Sequence, residues 1–184
     1  MSRIIMPIPC HFKTPAKLCD TTVARMRKAL ETAQRGDLLF LTGDVPYAQH
    51  LPTLGSLMRE WFIQNGVPAE SLHLIKGGVD MFSEARIACG AVPRAGAREV
   101  IVVSSGWYLF AGKPIWRRRA KENDIDISFV SIPRTGGLRT RLLYGCIGAV
   151  VRAGTAVGIE KPLELFFTSV QKNRTKGFTL NGCA

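Results

Sequence analysis

Short, continuous apolar runs alternate along this chain with longer segments in which apolar residues recur at helical spacing. The clearest run is Glu99–Val103. A run without polar alternation is typical of a parallel strand buried on both faces. Five predicted strands are Arg3–Ile8, Asp37–Leu41, Leu72–Ile75, Glu99–Val103 and Ile125–Val130. Strand–helix alternation at this spacing predicts right-handed βαβ units. The predicted fold is Rossmann-like α/β, a three-layer α/β/α arrangement with a mainly parallel sheet of about five strands.

The chain has 184 residues, a length that fits one domain. It has no internal repeat, low-complexity tract or linker-like segment. We therefore predict a single α/β domain with a core at about 3–133 and a helical C-terminal extension at about 137–172. Glycines at 145, 148, 154 and 158 weaken the helix prediction there.

The formal net charge of +11 favours anionic partners, which range from phosphorylated metabolites to acidic membrane surfaces. Plain solubility is the competing explanation. The densest basic run, Arg117–Arg119, has no interleaved aromatic residues and no nucleic-acid-binding module beside it. Nucleic acid is thus the less favoured partner, and an anionic small molecule the more favoured one.

The five cysteines form no C-x-x-C pair, and no secretory leader opens the sequence, so we expect reduced thiols in the cytoplasm. The three histidines show no metal-ligand spacing, so we expect no metal site. The apolar stretch Leu142–Val151 is far below the ~20 residues of a membrane span. Core packing is the favoured role for the apolar segment Leu165–Phe167, and peripheral contact with a membrane or partner is the alternative.

Ligands of open parallel sheets bind outside the carboxyl ends of the strands. Four segments follow predicted strands and are rich in small or polar residues: Pro9–His11, Thr42–Asp44, Gly77–Asp80 and Ser104–Tyr108. Backbone amides in such loops and at helix N-termini attract phosphate or carboxylate groups. The predicted ligand-binding residues are Thr42, Gly43, Asp44, Gly77, Gly78, Asp80, Glu84, Ser104, Ser105, Gly106, Trp107 and Tyr108.

Each polar residue in this set also has a structural explanation. Asp44 could bind a metal, a ribose hydroxyl or an amine, or it could satisfy turn amides. Asp80 could contact a ligand or cap a helix, with Glu84 as a partner of the helix dipole. Trp107 and Tyr108 could stack on a flat ligand or pack in the core. The Ser104–Gly106 segment lacks the G-x-S-x-G pattern, which disfavours a serine hydrolase. Cys10 has little support as a nucleophile, because adjacent His11 would point to the other side of the strand.

Taken in order, these segments resemble the YdcF/SanA/ElyC-type family of bacterial domains over about Arg3–Pro133. The family has an arginine-bearing first helix, here with Arg25, and a Ser-Gly-Gly-like strand end, here Thr42–Asp44. Its Gly-Val-Pro stretch corresponds to Gly66–Ser71, its Asn-Thr-x-Glu-Asn-Ala segment to Asp80–Ala85, and its Thr-Ser-x-x-His-x-x-Arg-Ala segment to Ser104–Gly112. Tyr108 and Ala111 occupy the family's His and Arg positions.

The resemblance implies the same Rossmann-like fold and a site at the strand ends. It also implies an adenosyl-type or phosphorylated ligand, since S-adenosylmethionine is associated with some members. Two functions remain open. One is binding of, or catalysis on, an anionic or nucleotide-like small molecule. The other is a non-catalytic, envelope-related regulatory role that uses the basic surface or the C-terminal helices.

Overall fold

The computed structural model describes residues 3–10, 12–14, 16–44, 51–78, 80–133, 138–159, 161–166 and 169. Predictions that concern His11, Val79 and Phe167 fall outside these ranges. The strands are β1 (Ile4–Pro7), β2 (Phe12–Thr14), β3 (Lys17–Leu18), β4 (Leu38–Asp44), β5 (Leu72–Lys76), β6 (Glu99–Ser105) and β7 (Asp126–Ile132). The helices are α1 (Asp20–Thr32), α2 (Leu54–Gln64), α3 (Met81–Ala91), α4 (Gly106–Glu122) and α5 (Leu138–Ala156).

Five strands form one parallel sheet in the order β5-β4-β1-β6-β7. The chain moves outward from β1 through β4 to β5, then returns to β6 on the other side of β1 and ends at β7. The direction of winding therefore reverses between β1 and β6. Such a switch point opens a crevice at the carboxyl ends of the two strands. The predicted three-layer Rossmann-like fold is confirmed.

Alternate residues of the strands feed two hydrophobic cores, one on each face of the sheet. Ile5, Ile101 and Val103 pack with Met26 of α1 and Phe62 of α2. The other face packs against α3 and α4 through a second set of buried residues that includes Ile4, Met6, Val100, Val102, Phe82 and Trp116. Burial on both faces explains why the strands read as unbroken apolar runs.

Four strands, β4, β5, β6 and β7, and one helix extend beyond their predicted ends. Thr42–Asp44 is the last part of β4 and Ser104–Ser105 the last part of β6, although both segments were predicted to follow their strands. The basic helix predicted near Ile115–Lys121 begins at Gly106, directly after β6. Polar residues continue β4 and β6 because neighbouring strands supply their backbone hydrogen bonds, as in the pairing of Ser104 with Ser131. A small antiparallel pair, β2 with β3, was not predicted.

The predicted C-terminal helix is present as α5, and residues 161–166 are also helical. Its glycines permit close packing: a Cβ at Gly148 would lie 2.5 Å from Cδ1 of Phe110, and one at Gly154 would overlap Leu163. Glycine has a low helix propensity, and contact of α5 with α4 and with the following segment offsets this cost. Among the described residues, no helix has the length and apolar character needed to cross a bilayer.

Candidate functional site

The sheet order places the four predicted strand-end segments along one edge, because β5, β4, β1 and β6 are neighbours. Five buried side chains meet there: Arg25 of α1, Thr42 of β4, Glu84 of α3, Ser105 of β6 and Tyr108 of α4. We call these five residues the strand-end cluster. It consists of two hydrogen-bonded halves.

Arg25 forms the first half of the strand-end cluster. Its side chain is fully buried, and its Nη1 donates to the carbonyl oxygens of Ile8 at 2.8 Å and Pro9 at 3.0 Å. Its Nε and Nη2 both donate to Oγ of Ser105, at 3.2 and 3.0 Å. All these acceptors are neutral, and no described carboxylate forms a salt bridge with Arg25. Arg25 is thus a buried cation with no direct salt bridge among the described residues, and its charge acts on the nearby Glu84 by favouring the carboxylate form.

Glu84 forms the centre of the second half. Its Oε1 accepts a hydrogen bond of 2.5 Å from Oγ1 of Thr42, and its Oε2 accepts one of 2.8 Å from the hydroxyl of Tyr108. That hydroxyl in turn lies 3.4 Å from the donating Nε1 of Trp116. Three elements, β4, α3 and α4, therefore hold one carboxyl in place.

Burial raises the pKa of Glu84 from 4.5 to about 7. The hydrogen bonds from Thr42 and Tyr108 and the charge of Arg25 favour the carboxylate, but they do not cancel the cost of removing it from water. Burial together with the charge of Glu84 raises the pKa of Tyr108, whose phenol stays protonated. Glu84 is therefore a buried acid that changes charge near neutral pH.

The rings of Trp107 and Tyr108 join the two halves. The guanidinium carbon of Arg25 lies 5.1 Å from the ring centroid of Trp107 and 5.6 Å from that of Tyr108. Such cation–π contacts stabilise a desolvated arginine. Trp107 also packs 4.2 Å, centroid to centroid, from the ring of Tyr144 on α5. Both predicted stacking residues thus contact the protein's own side chains.

A second, partly exposed layer surrounds the strand-end cluster. It contains Asp44, Gly77, Gly78, Asp80, Gly106 and Trp107. Gly106, Trp107 and Tyr108 are the first residues of α4, a 17-residue helix with no side-chain cap and no acidic residue in its first turn. The N-terminal turn of such a helix carries a partial positive charge, here next to Arg25.

The two predicted aspartates have local structural partners. Asp44 accepts a 2.6 Å hydrogen bond from Oγ1 of Thr53, the residue that caps α2. Asp80 caps α3 by accepting from the amides of Phe82 and Ser83, and Ser83 completes a capping box. The helix-cap interpretation of Asp80 is confirmed. Glu84 lies in the first turn of α3, as the dipole interpretation expects, and its carboxyl is in addition buried against Thr42 and Tyr108.

At two of the predicted glycines, the backbone lies close to other residues of the chain. Gly43 is buried with a φ of +80°, and a Cβ there would lie 3.0 Å from Cγ of Pro9 and 3.3 Å from Cβ of Leu54. A Cβ at Gly78 would lie 3.1 Å from Cα of Glu84. Both positions therefore require glycine for reasons of local packing.

Ser104 and Arg25 are two buried polar residues at the strand ends. The Oγ of Ser104 is fully buried and has no hydrogen-bond partner among the described residues. Arg25 was absent from the predicted site, although Thr22, Arg25, Met26 and Ala29 form the buried face of α1 at i, i+3, i+4 and i+7. An arginine within such an apolar stripe was the signal in the sequence.

Comparisons with protein-family models, curated proteins and solved structures give no match for this chain. The described residues contain no group of three or more His, Cys, Asp or Glu side chains arranged to hold a metal ion.

Proposed function

We propose that this protein binds an anionic, nucleotide-like small molecule at the carboxyl ends of β1, β4 and β6. The observation that carries the proposal is Arg25, a fully buried guanidinium with neutral hydrogen-bond acceptors only. A buried cation without a direct salt bridge is costly. An anion at the crevice would reduce that cost, and the N-terminal amides of α4 add to the attraction.

The residues of the outer layer favour a ligand that has a flat base and a sugar in addition to a negative group. Trp107 is partly exposed at the start of α4, and an aromatic ring in such a position can pack against a flat base. Asp44 and Asp80 lie on the β4 and α3 side, where carboxylates can accept from ribose hydroxyls or an amino group. A phosphate or carboxylate near α4 and a polar sugar near β4 match this distribution of charge.

The direct test is isothermal titration calorimetry of the full chain, supported by thermal unfolding. The probes are inorganic phosphate, AMP, ATP, S-adenosylmethionine and a sugar phosphate, with uncharged adenosine as the control ligand. A ligand at one hundred times its Kd stabilises a protein by about 2.7 kcal/mol. For a chain of this size we expect Tm to rise by roughly 5–10 °C.

Matched variants locate the binding. Ser105→Ala removes the hydroxyl that Arg25 contacts, and Ser128→Ala on β7 removes an exposed hydroxyl elsewhere. Arg25→Met removes the cation, and Arg27→Met removes an exposed cation from the same helix. We expect at least tenfold weaker binding for the Ser105 and Arg25 variants and unchanged binding for their controls. Absence of binding by every anionic probe, or equal affinity of the site and control variants, would contradict the proposal.

A second candidate function is proton-transfer catalysis on the bound ligand, and Glu84 is the observation that favours it. A general acid or base works best with a pKa near the operating pH, and that of Glu84 is about 7. Turnover of a bound phosphate ester that falls at least a hundredfold in Glu84→Gln, with ligand affinity retained, would support catalysis. Equal turnover would leave binding as the function.

We also propose that the chain is a divergent YdcF-like protein. The support is the order of the sequence segments from Arg3 to Pro133 and the position of Arg25 at the strand-end cluster. An envelope-related regulatory role is the alternative for the whole molecule, and loss of ligand binding in the experiments above would favour it.

A further inference from the structure

The outward face of α5 is apolar along almost the whole helix. Exposed positions on this side are occupied by Leu142, Leu143, Cys146, Ala149, Val150, Ala153 and Ala156, which we call the α5 outer face. At 100° per residue these seven positions span an arc of roughly 140°. The exposed fractions are 62% for Leu142, 55% for Leu143 and 52% for Val150. Scattered apolar residues are ordinary on a surface, but a continuous stripe marks an interaction site.

The opposite side of α5 is already occupied by the protein. Gly148 and Val151 are buried, with Gly148 against Phe110 of α4. The helix therefore docks on α4 through one side and turns a second apolar side outward. Packing of the domain explains the first side and leaves the second unexplained.

The charge around the α5 outer face identifies its partner. Between Asp126 and Glu160 the sequence contains no acidic residue and four arginines: Arg134, Arg139, Arg141 and Arg152. Arg139 and Arg141 belong to the first turn of α5, and Arg152 is exposed near its last turn, stacked 4.5 Å from the ring centroid of Phe110. The chain as a whole carries a net charge of +11. An apolar helix face in a segment that contains arginines and no acidic residue suits an anionic lipid surface.

A second copy of the chain is a poorer occupant. Two-fold pairing along α5 would bring the same arginine-rich segment of each copy together, and like charges oppose association. The α5 outer face also has only seven residues, whereas a stable interface has about 20–30 residues on each side. Beyond the helix, Val157 and Ile159 are exposed as well and extend the apolar surface toward the C-terminus.

We propose that the α5 outer face binds the surface of an anionic membrane, with its apolar side chains at the headgroup boundary and the positive charge of this segment attracting the lipid phosphates. This contact is peripheral and independent of the strand-end cluster. It would place the ligand crevice close to a membrane without inserting the chain across it.

The test is flotation of the full chain with phosphatidylcholine vesicles that contain either no phosphatidylglycerol or about one third of it. We expect binding to the anionic vesicles to exceed binding to the neutral ones at least tenfold at low salt. The excess should decrease as salt rises from about 50 to 500 mM, since surface charge is screened.

The double variant Leu143→Asp/Val150→Asp places two charges on the α5 outer face, and we expect it to bind at least tenfold more weakly. The matched control is Ile63→Asp/Leu74→Asp, which makes the same change at two exposed apolar positions of α2 and β5. Leu143→Gln/Val150→Gln removes apolar area without adding charge. It replaces the aspartate variant if circular dichroism shows that the aspartate variant does not fold.

Three outcomes would overturn the proposal. The first is absence of binding to anionic vesicles by the parent chain. The second is an equal reduction in the Ile63/Leu74 control, which would assign the effect to net charge. The third is a concentration-dependent dimer, abolished by the α5 variants, without vesicle binding, since this would make a second copy the occupant.

Discussion

Glu84→Gln should change how the stability of this protein depends on pH. Glu84 is buried, its carboxyl accepts from Thr42 and Tyr108, and burial raises its pKa from 4.5 to about 7. In the unfolded chain the same carboxyl is solvated and has its ordinary pKa. Between these two pH values the folded state therefore binds more protons than the unfolded state. The stability associated with the neutral carboxyl is complete below pH 4.5 and is lost as pH rises through about 7.

The size of the loss follows from the two pKa values. Each pKa unit corresponds to about 1.36 kcal/mol, so a rise from 4.5 to about 7 gives about 3 kcal/mol. Glutamine keeps the shape of the protonated acid and cannot ionise. The free energy of unfolding of Glu84→Gln, relative to that of the parent, should thus increase by about 3 kcal/mol between pH 4.5 and pH 8.5.

Urea denaturation of both proteins at half-unit intervals over this range measures the difference directly. The control is Glu70→Gln, the same change at an exposed position in the 3₁₀ turn Ala69–Ser71. Tyr108→Phe removes a hydrogen bond that favours the carboxylate, so the transition should move to higher pH. A constant difference between Glu84→Gln and the parent from pH 4.5 to 8.5 would refute the reasoning, because it would mean that folding does not raise the pKa of Glu84.

Two further predictions concern local structure and are measured by urea denaturation at pH 7. Gly43→Ala should destabilise the fold by about 2–3 kcal/mol, since a left-handed backbone and a 3.0 Å approach to Pro9 both oppose a Cβ. Gly36→Ala, at a φ of +92° in open space, should cost only about 1 kcal/mol, and equal losses would assign the whole effect to the backbone. Asp80→Ala should cost about 1 kcal/mol through loss of the α3 capping box, and Asp80→Asn should recover most of it. A cost for Asp80→Asn equal to that of alanine would contradict a capping role.

The layer arrangement could be predicted because burial of the sheet on both faces requires continuous apolar runs in the sequence. Glu99–Val103 is apolar at nearly every position since alternate residues feed different cores. The ends of β4 and β6 could not be predicted in the same way. Thr42 and Ser105 belong to strands, yet their side chains serve partners from α3 and α1, far along the chain. Local propensity contains no information about such partners.

Arg25 and Glu84 show why the site was only half predicted. Position after a predicted strand is a local signal, and it was enough to include Glu84, Asp80 and Gly78 among the predicted site residues. The property that makes Glu84 chemically distinctive is burial against Thr42 and Tyr108, which depends on how three elements meet. Arg25 lies on a helix before the second strand of the sheet, where no rule for strand ends applies. Its place in the buried stripe of α1 gave the alternative signal. A charged residue that keeps helical register with buried neighbours must have its charge stabilised inside the fold. At the switch point of this sheet, the partners of Arg25 are the strand-end carbonyls of Ile8 and Pro9 and the hydroxyl of Ser105. In this fold, a charged residue within the apolar stripe of a helix is therefore a second sequence signal for the site, in addition to polar residues at strand ends.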